Sequence, residues 1–328
     1  MAVKLTDVAK KAGVSATTVS RVINNYGYLS EATKKKVFAA MRELNYKPNS
    51  LARSLQGKKM KLIGVIFPSI ANPFFAELIQ DIEAELFKKN YKIILCNAGK
   101  DKEKEREYIK MLLANQVDGI IAGAHNLGID EYQRLGLPIV SFDRKLSDNI
   151  PIVSCDNYQG IQLAVHDLIQ AGCTNIYFLG NKLTKGNPTD KRLKAYLDTI
   201  KSLKMTPHLC SVAFSDSPVL KKMTIHKMLT HDHPDGVVCT DDLTAILVLQ
   251  EAVELGIQVP KDLKVTGFDG TKEIQTYHSE LSTIAQPISD MAILLVKLLL
   301  ERINDPQKPL SQHQYQLPVR LIKSKTTA

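Results

Sequence analysis

Long apolar runs are absent from this sequence. The longest strongly apolar segment, MAILLVKLLL at residues 291–300, is interrupted by Lys297 and is well short of the ~20 residues that a membrane-spanning helix needs. No apolar leader is present at the N-terminus, and the five cysteines are odd in number and far apart. These features argue against a membrane protein and against a disulfide-stabilised secreted protein. They predict a reduced, cytoplasmic chain.

The motifs of common nucleotide-binding and hydrolytic enzymes are also missing. The sequence has no G-x-x-x-x-G-K-[ST], G-x-G-x-x-G, G-x-S-x-G or H-E-x-x-H pattern. The segment HDHPD at residues 231–235 holds two histidines, but a polar surface turn explains it better than a metal site. The segment GNKLTKGNP at residues 180–188 lacks the spacing of a phosphate-binding loop, and we interpret it as a cleft loop. We therefore expect no enzymatic activity, no metal and no other cofactor.

Charge is distributed unevenly along the 328 residues. Residues 1–61 carry 13 Lys and Arg against 3 Asp and Glu, whereas residues 62–328 carry 30 against 31. The net charge of +9 therefore resides in the N-terminal fifth of the chain. A small basic module on a nearly neutral body is typical of a protein that binds nucleic acid. A basic surface that serves only solubility is the alternative.

The basic module has the pattern of a helix-turn-helix. In LTDVAKKAG the apolar residues recur at i, i+3, i+4 and i+7, which predicts a helix that ends at Gly13. Ser15 can cap a second helix, and a third helix from Ser30 to about Asn45 would close the small core. The polar face of the second helix would enter the major groove, although an arbitrary amphipathic hairpin is the alternative. The residues predicted to contact DNA on this face are Ser15, Ala16, Thr17, Ser20, Arg21 and Asn24.

A short helix is predicted directly after this module. In PNSLARSLQGK, Asn49 can cap a helix of one to two turns that presents Leu55 on its apolar side and ends at Gly57. So short a helix is not stable alone in water, so its order must depend on another contact. An ordinary linker is the alternative.

The body of the chain alternates short aliphatic runs with helical patterns. The runs are KLIGVIF, YKIILC, DGIIAG, PIVSF, IPIVSC, NIYFLG, DGVVCT and LKVTGF. Strand and helix in alternation predict an α/β fold with parallel sheets and helices on both faces. Because an Asp-Gly pair precedes an aliphatic run at residues 118–119 and again at 235–236, we predict two similar doubly wound subdomains. A ligand would bind in the cleft between them, at the carboxyl ends of the strands.

Three stretches carry a resemblance to a known family. TDVAKKAGVSATTVSRVIN, KPNSLARSLQGK and LIGVIFPSIANPFFAELI resemble the lactose-repressor family of bacterial transcription regulators, and the resemblance covers essentially the whole chain. Within that family, YGYLSEATKKKV and ARSLQGK are most similar to repressors of sucrose-utilisation operons. The resemblance implies a homodimer on palindromic double-stranded operator DNA, with a periplasmic-binding-protein-like core. It also implies that paired hinge helices form on the operator and insert Leu55 into the minor groove.

The family resemblance also assigns residues to the binding of a small sugar effector. Aromatic faces suit the apolar face of a sugar ring, and charged side chains bond to its hydroxyls. Asp241 stands where lactose-type members have asparagine, and core packing is the alternative for the phenylalanines. Lys182, Lys185 and Lys191 lie near Arg192 in sequence and would suit a phosphorylated sugar, although solvated surface lysines are the alternative. The expected effector is sucrose, fructose or a phosphorylated derivative. The residues that the resemblance assigns to the effector are Phe74, Phe75, Arg192, Phe214, Asp241 and Asp269.

These observations together define an expected domain organisation and two competing functions. The domains are a DNA-binding domain at 1–47, a hinge at 48–60 and a sensor core at 61–328. Within the core, one subdomain takes residues 61–158 and 288–313, and the other takes 159–287 and 314–328. The alternative to a sugar-responsive repressor is a global carbon-catabolite regulator of the same family with a phosphocarrier protein as co-regulator. An exported sugar-binding protein would have no use for a basic helix-turn-helix, and without C-terminal leucine heptads a coiled-coil tetramer is not expected.

Overall fold

The chain divides into two compact units, Met1–Met60 and Lys61–Ala328. The structure, a computed structural model, describes residues 3–24, 26–47, 59–124, 126, 128–181, 188–214 and 216–328. Asn49 and Leu55 of the predicted hinge lie outside the described residues, and so do Lys182 and Lys185. In the described ranges, no helix is long and apolar enough to cross a membrane.

The described part of the first unit is a bundle of three helices, α1 (Leu5–Ala12), α2 (Ala16–Ile23) and α3 (Glu31–Glu43). Gly13 ends α1 with a φ of 67°, a left-handed conformation that glycine adopts without strain. The Ser15 side chain accepts a hydrogen bond from the Thr18 amide and so caps α2. The helix-turn-helix prediction is confirmed. The buried core consists of Val8, Ala9, Val19, Val22, Val37 and Ala40.

The second unit is built on two six-stranded sheets in the described residues. The first sheet contains β1 (Leu62–Phe67), β2 (Lys92–Asn97), β3 (Gly119–Ala122), β4 (Ile139–Phe142), β5 (Ile152–Cys155) and β11 (Gln314–Leu317). The second contains β6 (Ile176–Gly180), β7 (His208–Ser211), β8 (Gly236–Cys239), β9 (Lys264–Asp269), β10 (Ser282–Ala285) and β12 (Arg320–Ile322). Their strand orders are β11-β5-β4-β3-β1-β2 and β12-β10-β9-β8-β6-β7, so the two sheets have equivalent topology. Neighbouring strands are parallel, except that β12 runs antiparallel to β10.

Helices cover both faces of each sheet, which explains why the strands are continuous aliphatic runs. We call the first sheet with its helices the first lobe, and the second sheet with its helices the second lobe. The helices of the first lobe are α4 (Pro73–Lys88), α5 (Lys102–Ala114) and α11 (Ile288–Asn304). Those of the second lobe are α6 (Asn157–Gln170), α7 (Asp190–Ser202), α8 (Pro218–Lys227), α9 (Asp242–Glu254) and α10 (Lys272–Tyr277). Both lobes match the predicted doubly wound fold.

The repeated Asp-Gly pair has the same structural role in the two lobes. Asp118 precedes β3 and its carboxylate accepts a hydrogen bond of 2.7 Å from the Lys61 amide, just before β1. Asp235 precedes β8 and its carboxylate accepts from the amides of Thr174 (2.7 Å) and Asn175 (2.9 Å), just before β6. In each sheet, the aspartate thus fixes the start of the neighbouring strand. This contact also gives Asp235 of the HDHPD segment a structural role.

In the residues that the structure describes, the chain crosses between the lobes three times. It crosses after β5, after β10, and between β11 and β12. The last crossing differs from the sequence expectation, which assigned residues 314–328 to the second subdomain. Residues Gln314–Leu317 instead pair in parallel with β5 and complete the edge of the first sheet. β11 fills the edge of the first sheet beside β5, so the crossing to the second lobe lies at residues 318–319.

Candidate functional site

The predicted DNA-contacting residues on α2 differ in how freely their side chains project. Thr17 and Arg21 are exposed, whereas Ala16 is half-buried and packs against the small core. The Ser15 hydroxyl is 2.9 Å from the Thr18 hydroxyl and caps the helix. Asn24 donates through its amide to the Ser20 carbonyl at 2.7 Å and to the Ser20 hydroxyl at 3.3 Å. Thr17 and Arg21 are therefore the two side chains best placed to reach a base edge.

The loop after α2 holds Arg21 in position. The Nε of Arg21 donates to the Tyr26 carbonyl at 3.4 Å, and the guanidinium of Arg21 lies against Gly27. A side chain at Gly27 would clash with this guanidinium, and the φ of 72° there also favours glycine. Sequence reasoning missed the neighbouring Tyr26 and Tyr28, which are 71% and 94% exposed. Large apolar side chains this exposed beside a basic helix are the signal that identifies them as further candidates for DNA contact.

The predicted phenylalanines form an aromatic cluster that spans both lobes. Asn72 caps α4 by accepting hydrogen bonds from the amides of Phe74 (3.0 Å) and Phe75 (3.3 Å), which places both rings at the start of this helix. Phe74 packs inside the first lobe, with its ring centroid 5.7 Å from that of Phe142. Phe75 meets Phe214 of the second lobe edge to face, with ring centroids 5.9 Å apart. The cluster therefore combines core packing with a contact across the cleft.

Arg192 lies at the centre of the polar part of the cleft. Its Nε donates to the Asn157 side-chain oxygen at 2.6 Å, and another guanidinium nitrogen donates to the Thr240 carbonyl at 2.5 Å. The guanidinium also stacks on Phe268, with its central carbon 3.7 Å from the ring centroid. These contacts fix the plane of a side chain that is only 8% exposed. A guanidinium held in this way presents directed hydrogen-bond donors at low entropic cost.

Two aspartates at equivalent strand ends face this arginine. Asp143 follows β4, and its carboxylate accepts a 3.3 Å hydrogen bond from the side-chain amide of Asn157. Asp269 ends β9, and its carboxylate accepts a 2.8 Å hydrogen bond from the side-chain amide of Gln286. Both have positive φ, 51° for Asp143 and 129° for Asp269. Strained backbone of this kind is concentrated at functional sites. Sequence reasoning did not assign Asp143 or Asn157 to the effector site, although Phe142-Asp143 repeats the Phe-Asp pair of GFDG.

Asp241 and Asp242 begin α9 and have different environments. Asp241 caps the helix, accepting 2.8 Å hydrogen bonds from the Thr244 amide and the Thr244 hydroxyl. Asp242 accepts from the Gly270 amide at 2.7 Å and from the Thr283 hydroxyl at 2.5 Å, which ties α9 to the neighbouring strands. The carboxylate of Asp241 therefore caps the start of α9 with both of its oxygens.

Burial makes charge costly for the carboxyl groups of the cleft. Burial of the Asp143 carboxyl group raises its pKa to about 6, although the positive charge of Arg192 acts in the opposite direction. Burial likewise raises the pKa of Asp242 to about 6, against the hydrogen bonds from Thr283 and Gly270. The pKa of Asp269 is raised well above its usual value by burial and then by the charge of Asp242. Strongly perturbed carboxyl groups gathered in a cleft are characteristic of binding sites.

Asp143→Asn is expected to stabilise the sensor unit at pH 7.5. Because the folded-state pKa of Asp143 is raised to about 6, ionisation destabilises the fold as the pH rises through this value. Asparagine keeps the acceptor for Asn157 and tolerates the positive φ, so the gain should be on the order of 1–3 kcal/mol at pH 7.5. Unfolding by denaturant at pH 7.5 and pH 5 measures the gain, which should shrink at the lower pH.

Asp148→Asn is the matched control for this prediction. Asp148 is exposed, and its hydrogen bond and ion pair with Lys145 lower the pKa of its carboxyl group. Its replacement should therefore give no stabilisation at pH 7.5. A variant of Asp143 that was less stable than wild type at both pH values would contradict the argument from burial.

In the described part of the chain, no group of three or more His, Cys, Asp or Glu is placed to hold a metal ion. The arrangement of the cleft instead suits a polar organic ligand with an apolar face. The aromatic cluster supplies a flat apolar surface, while Arg192 and the carboxyl groups supply fixed donors and acceptors beside it.

Comparison with known proteins agrees with both parts of the structure. Residues 4–49 match the bacterial regulatory proteins of the lacI family, and residues 165–327 match a periplasmic binding protein-like domain. A sucrose operon repressor from Pediococcus pentosaceus is 59% identical over 98% of this chain and 99% of its own length. Another, from Streptococcus mutans, is 48% identical over 99% of this chain and 100% of its own length.

A solved structure extends the comparison to the whole fold. The crystal structure of the Lac repressor dimer bound to operator and the anti-inducer ONPF matches with a TM-score of 0.86 at 28% identity. The match covers 100% of this chain and 99% of that one. The relatives named here are transcriptional repressors, not enzymes. With its helix-turn-helix, its two-lobed core and these full-length relatives, the chain belongs to the lacI family of bacterial regulatory proteins.

Proposed function

We propose that the chain is a homodimeric repressor of a sucrose-utilisation operon, released from a palindromic operator by a small sugar. We also propose that it has no enzymatic activity and acts in the cytoplasm, where operator DNA is found. The proposed domains are a DNA-binding domain at 1–47, a hinge at 48–60 and a sensor core from residue 61. The two sucrose operon repressors described above support the choice of operon.

One observation carries the sensor half of this proposal. A hydrogen-bonded chain runs from Asp143 of the first lobe through Asn157 to Arg192 and the Thr240 carbonyl of the second lobe. Asn157 opens α6, directly after the first chain crossing. A ligand that bonds to Arg192 and Asp143 would therefore change the contact between the lobes. The proposed effector-contacting residues are Phe74, Phe75, Arg192, Phe214, Asp241 and Asp269, together with Asp143.

Closure of the lobes around the sugar would be transmitted to DNA through the dimer. We propose that closure turns the first lobes of the two subunits against each other and moves the hinge segments, residues 49–57, out of register. A ligand shifts such an equilibrium only by its differential affinity for the two arrangements, so coupling of ~1–3 kcal/mol would weaken operator binding about 5- to 150-fold. The proposed DNA-contacting residues are Ser15, Ala16, Thr17, Ser20, Arg21 and Asn24, with Asn49 and Leu55 of the hinge.

The second lobe also has a surface that suits a second copy of the chain. Val219, Leu220 and Met223 on α8 are 68%, 55% and 66% exposed, and Val253 on α9 is 79% exposed. Exposed apolar side chains on neighbouring helices are characteristic of association surfaces. A symmetric dimer places one recognition helix on each half of a palindromic operator.

Operator gel shifts with the full-length protein test the proposed function. Sucrose, fructose, their phosphates and a phosphocarrier protein are added in turn to the protein–operator complex. We expect at least one of the sugars to lower the affinity for operator DNA by about 5- to 150-fold, which is the usual range of allosteric coupling. Release by no sugar, together with stronger operator binding in the presence of the phosphocarrier protein, would replace this proposal with that of a catabolite regulator.

A further inference from the structure

The described cleft carries more negative than positive charge around Arg192. Asp143, Asp241 and Asp242 are buried side chains, with 6%, 7% and 1% exposure, and Asp269 is half-buried. Arg192 interacts electrostatically with both Asp143 and Asp269. Asp241 and Asp242 in turn interact electrostatically with Asp269. Asp242 and Asp269 compete for a proton because each disfavours ionisation of the other. Four buried or half-buried carboxyl groups therefore lie around one guanidinium.

Among the described residues, the cations near these carboxylates contact protein oxygens. Two of the three guanidinium nitrogens of Arg192 donate to protein oxygens, and its face is covered by Phe268. Lys221 is buried and donates to the Thr244 hydroxyl at 3.0 Å, which in turn donates to Asp241. Lys191 lies 3.5 Å from the side-chain oxygen of Gln316. Within the described residues, the cleft therefore offers no cluster of uncommitted cations to an anionic group.

We infer that the effector is an uncharged sugar and that the cleft discriminates against its phosphorylated form; this inference rests on the proposed function. Sugar hydroxyls donate hydrogen bonds to carboxylates, which accept but cannot donate. A phosphate group adds about 1.5 to 2 negative charges at pH 7 and, once fully ionised, only acceptor oxygens, so it meets these carboxylates with repulsion and no hydrogen bond. Specificity commonly arises from such a repulsive element as well as from attractive contacts.

Calorimetric titration of the full-length protein at pH 7.5 with matched pairs tests this inference. The pairs are fructose with fructose 1-phosphate and fructose 6-phosphate, and sucrose with sucrose 6-phosphate. We expect binding of a neutral sugar and binding at least tenfold weaker for its phosphorylated form. Asp241→Asn and Asp143→Asn should reduce the difference in affinity between the neutral and the phosphorylated sugar. Asparagine at position 241 can still cap α9, so this variant should fold. Asp290→Asn, an exposed carboxylate on α11, should leave the difference unchanged.

The outcomes separate this inference from the proposed function. Phosphorylated sugar that binds within tenfold of the neutral sugar, or more tightly, overturns the inference and leaves a sugar-responsive repressor standing. Lys182 and Lys185 would then be the first candidates to hold the phosphate. If both aspartate variants keep the wild-type ratio of neutral-sugar to phosphorylated-sugar affinity, the inference is also overturned, because the discrimination would not come from the carboxylates. Binding of none of the sugars overturns the inference and the proposed function together.

Discussion

Arg192→Ala is expected to give a protein that binds operator DNA as wild type does but no longer releases it when sugar is added. The substitution removes the guanidinium that donates to Asn157 and to the Thr240 carbonyl and that we propose to contact the sugar. Loss of a hydrogen bond to a charged group, with its buried partners left unpaired, costs ~3 kcal/mol, which is about a 100-fold loss of sugar affinity. Calorimetry measures sugar affinity, and operator gel shifts with and without sugar measure release.

Asp269→Asn guards this prediction against simple misfolding, and Lys194→Ala provides the matched control. Asparagine has nearly the same shape as aspartate, so Asp269→Asn should fold and yet respond poorly to sugar. Lys194 lies on α7 two residues from Arg192 but is exposed and pairs with Asp198. Its replacement should leave both sugar affinity and release unchanged. A variant of Arg192 that released DNA as readily as wild type would place the effector site elsewhere.

Arg21→Ala and Thr17→Ala are expected to weaken binding to the operator and leave sugar affinity intact. Both side chains project from α2, and the backbone carbonyl of Tyr26 holds the guanidinium of Arg21. A good base-reading pair contributes ~1–3 kcal/mol of discrimination, so operator affinity should fall about 5- to 150-fold. Affinity for unrelated DNA should fall much less. Titrations of operator and scrambled duplexes by fluorescence anisotropy, at one salt concentration, provide the comparison.

Lys35→Ala separates base reading from general charge. Lys35 is an exposed cation on α3, so its loss removes one positive charge from the same module. Such a loss should weaken binding to both duplexes by a similar factor and reduce the salt dependence. If Arg21→Ala and Thr17→Ala behaved in the same way as Lys35→Ala, the exposed face of α2 would not read the sequence.

The strands formed by aliphatic runs were predictable from the sequence, whereas β7, β10, β11 and β12 were not. Each of the eight aliphatic runs forms a strand, because a parallel strand covered by helices needs apolar side chains throughout. β10 was not predicted because it contains the polar residues Ser282 and Thr283, which interrupt the aliphatic pattern although both are buried. Distant residues satisfy them: the Ser282 hydroxyl lies 2.8 Å from that of Thr327, and Thr283 donates to Asp242. Such pairings depend on the fold and leave no local pattern.

The candidate site was predictable only in part, for a related reason. The family resemblance assigned the roles of Arg192 and Asp269, and Asp269 also stands out in the sequence as a charge at the end of an apolar run. Asp143 and Asn157 belong to the same cluster, but their importance arises from contact between elements that are separated in the chain. The repeated Phe-Asp pair at the ends of β4 and β9 was a readable sign of this symmetry. The two lobes thus each supply a carboxylate to one arginine.

The late position of β11 in the chain has a consequence for the order in which the protein is made. In the described residues, the packing partners of the helix-turn-helix core extend no further along the chain than Tyr46, so this core can form once that residue has been made. The first lobe, by contrast, lacks α11 and its edge strand until residues 288–317 emerge. Domains generally fold as units during synthesis, with the N-terminal one first. A growing polypeptide therefore carries a finished DNA-reading module while its ligand-responsive part still exposes the unpaired edge of β5 to other nascent chains.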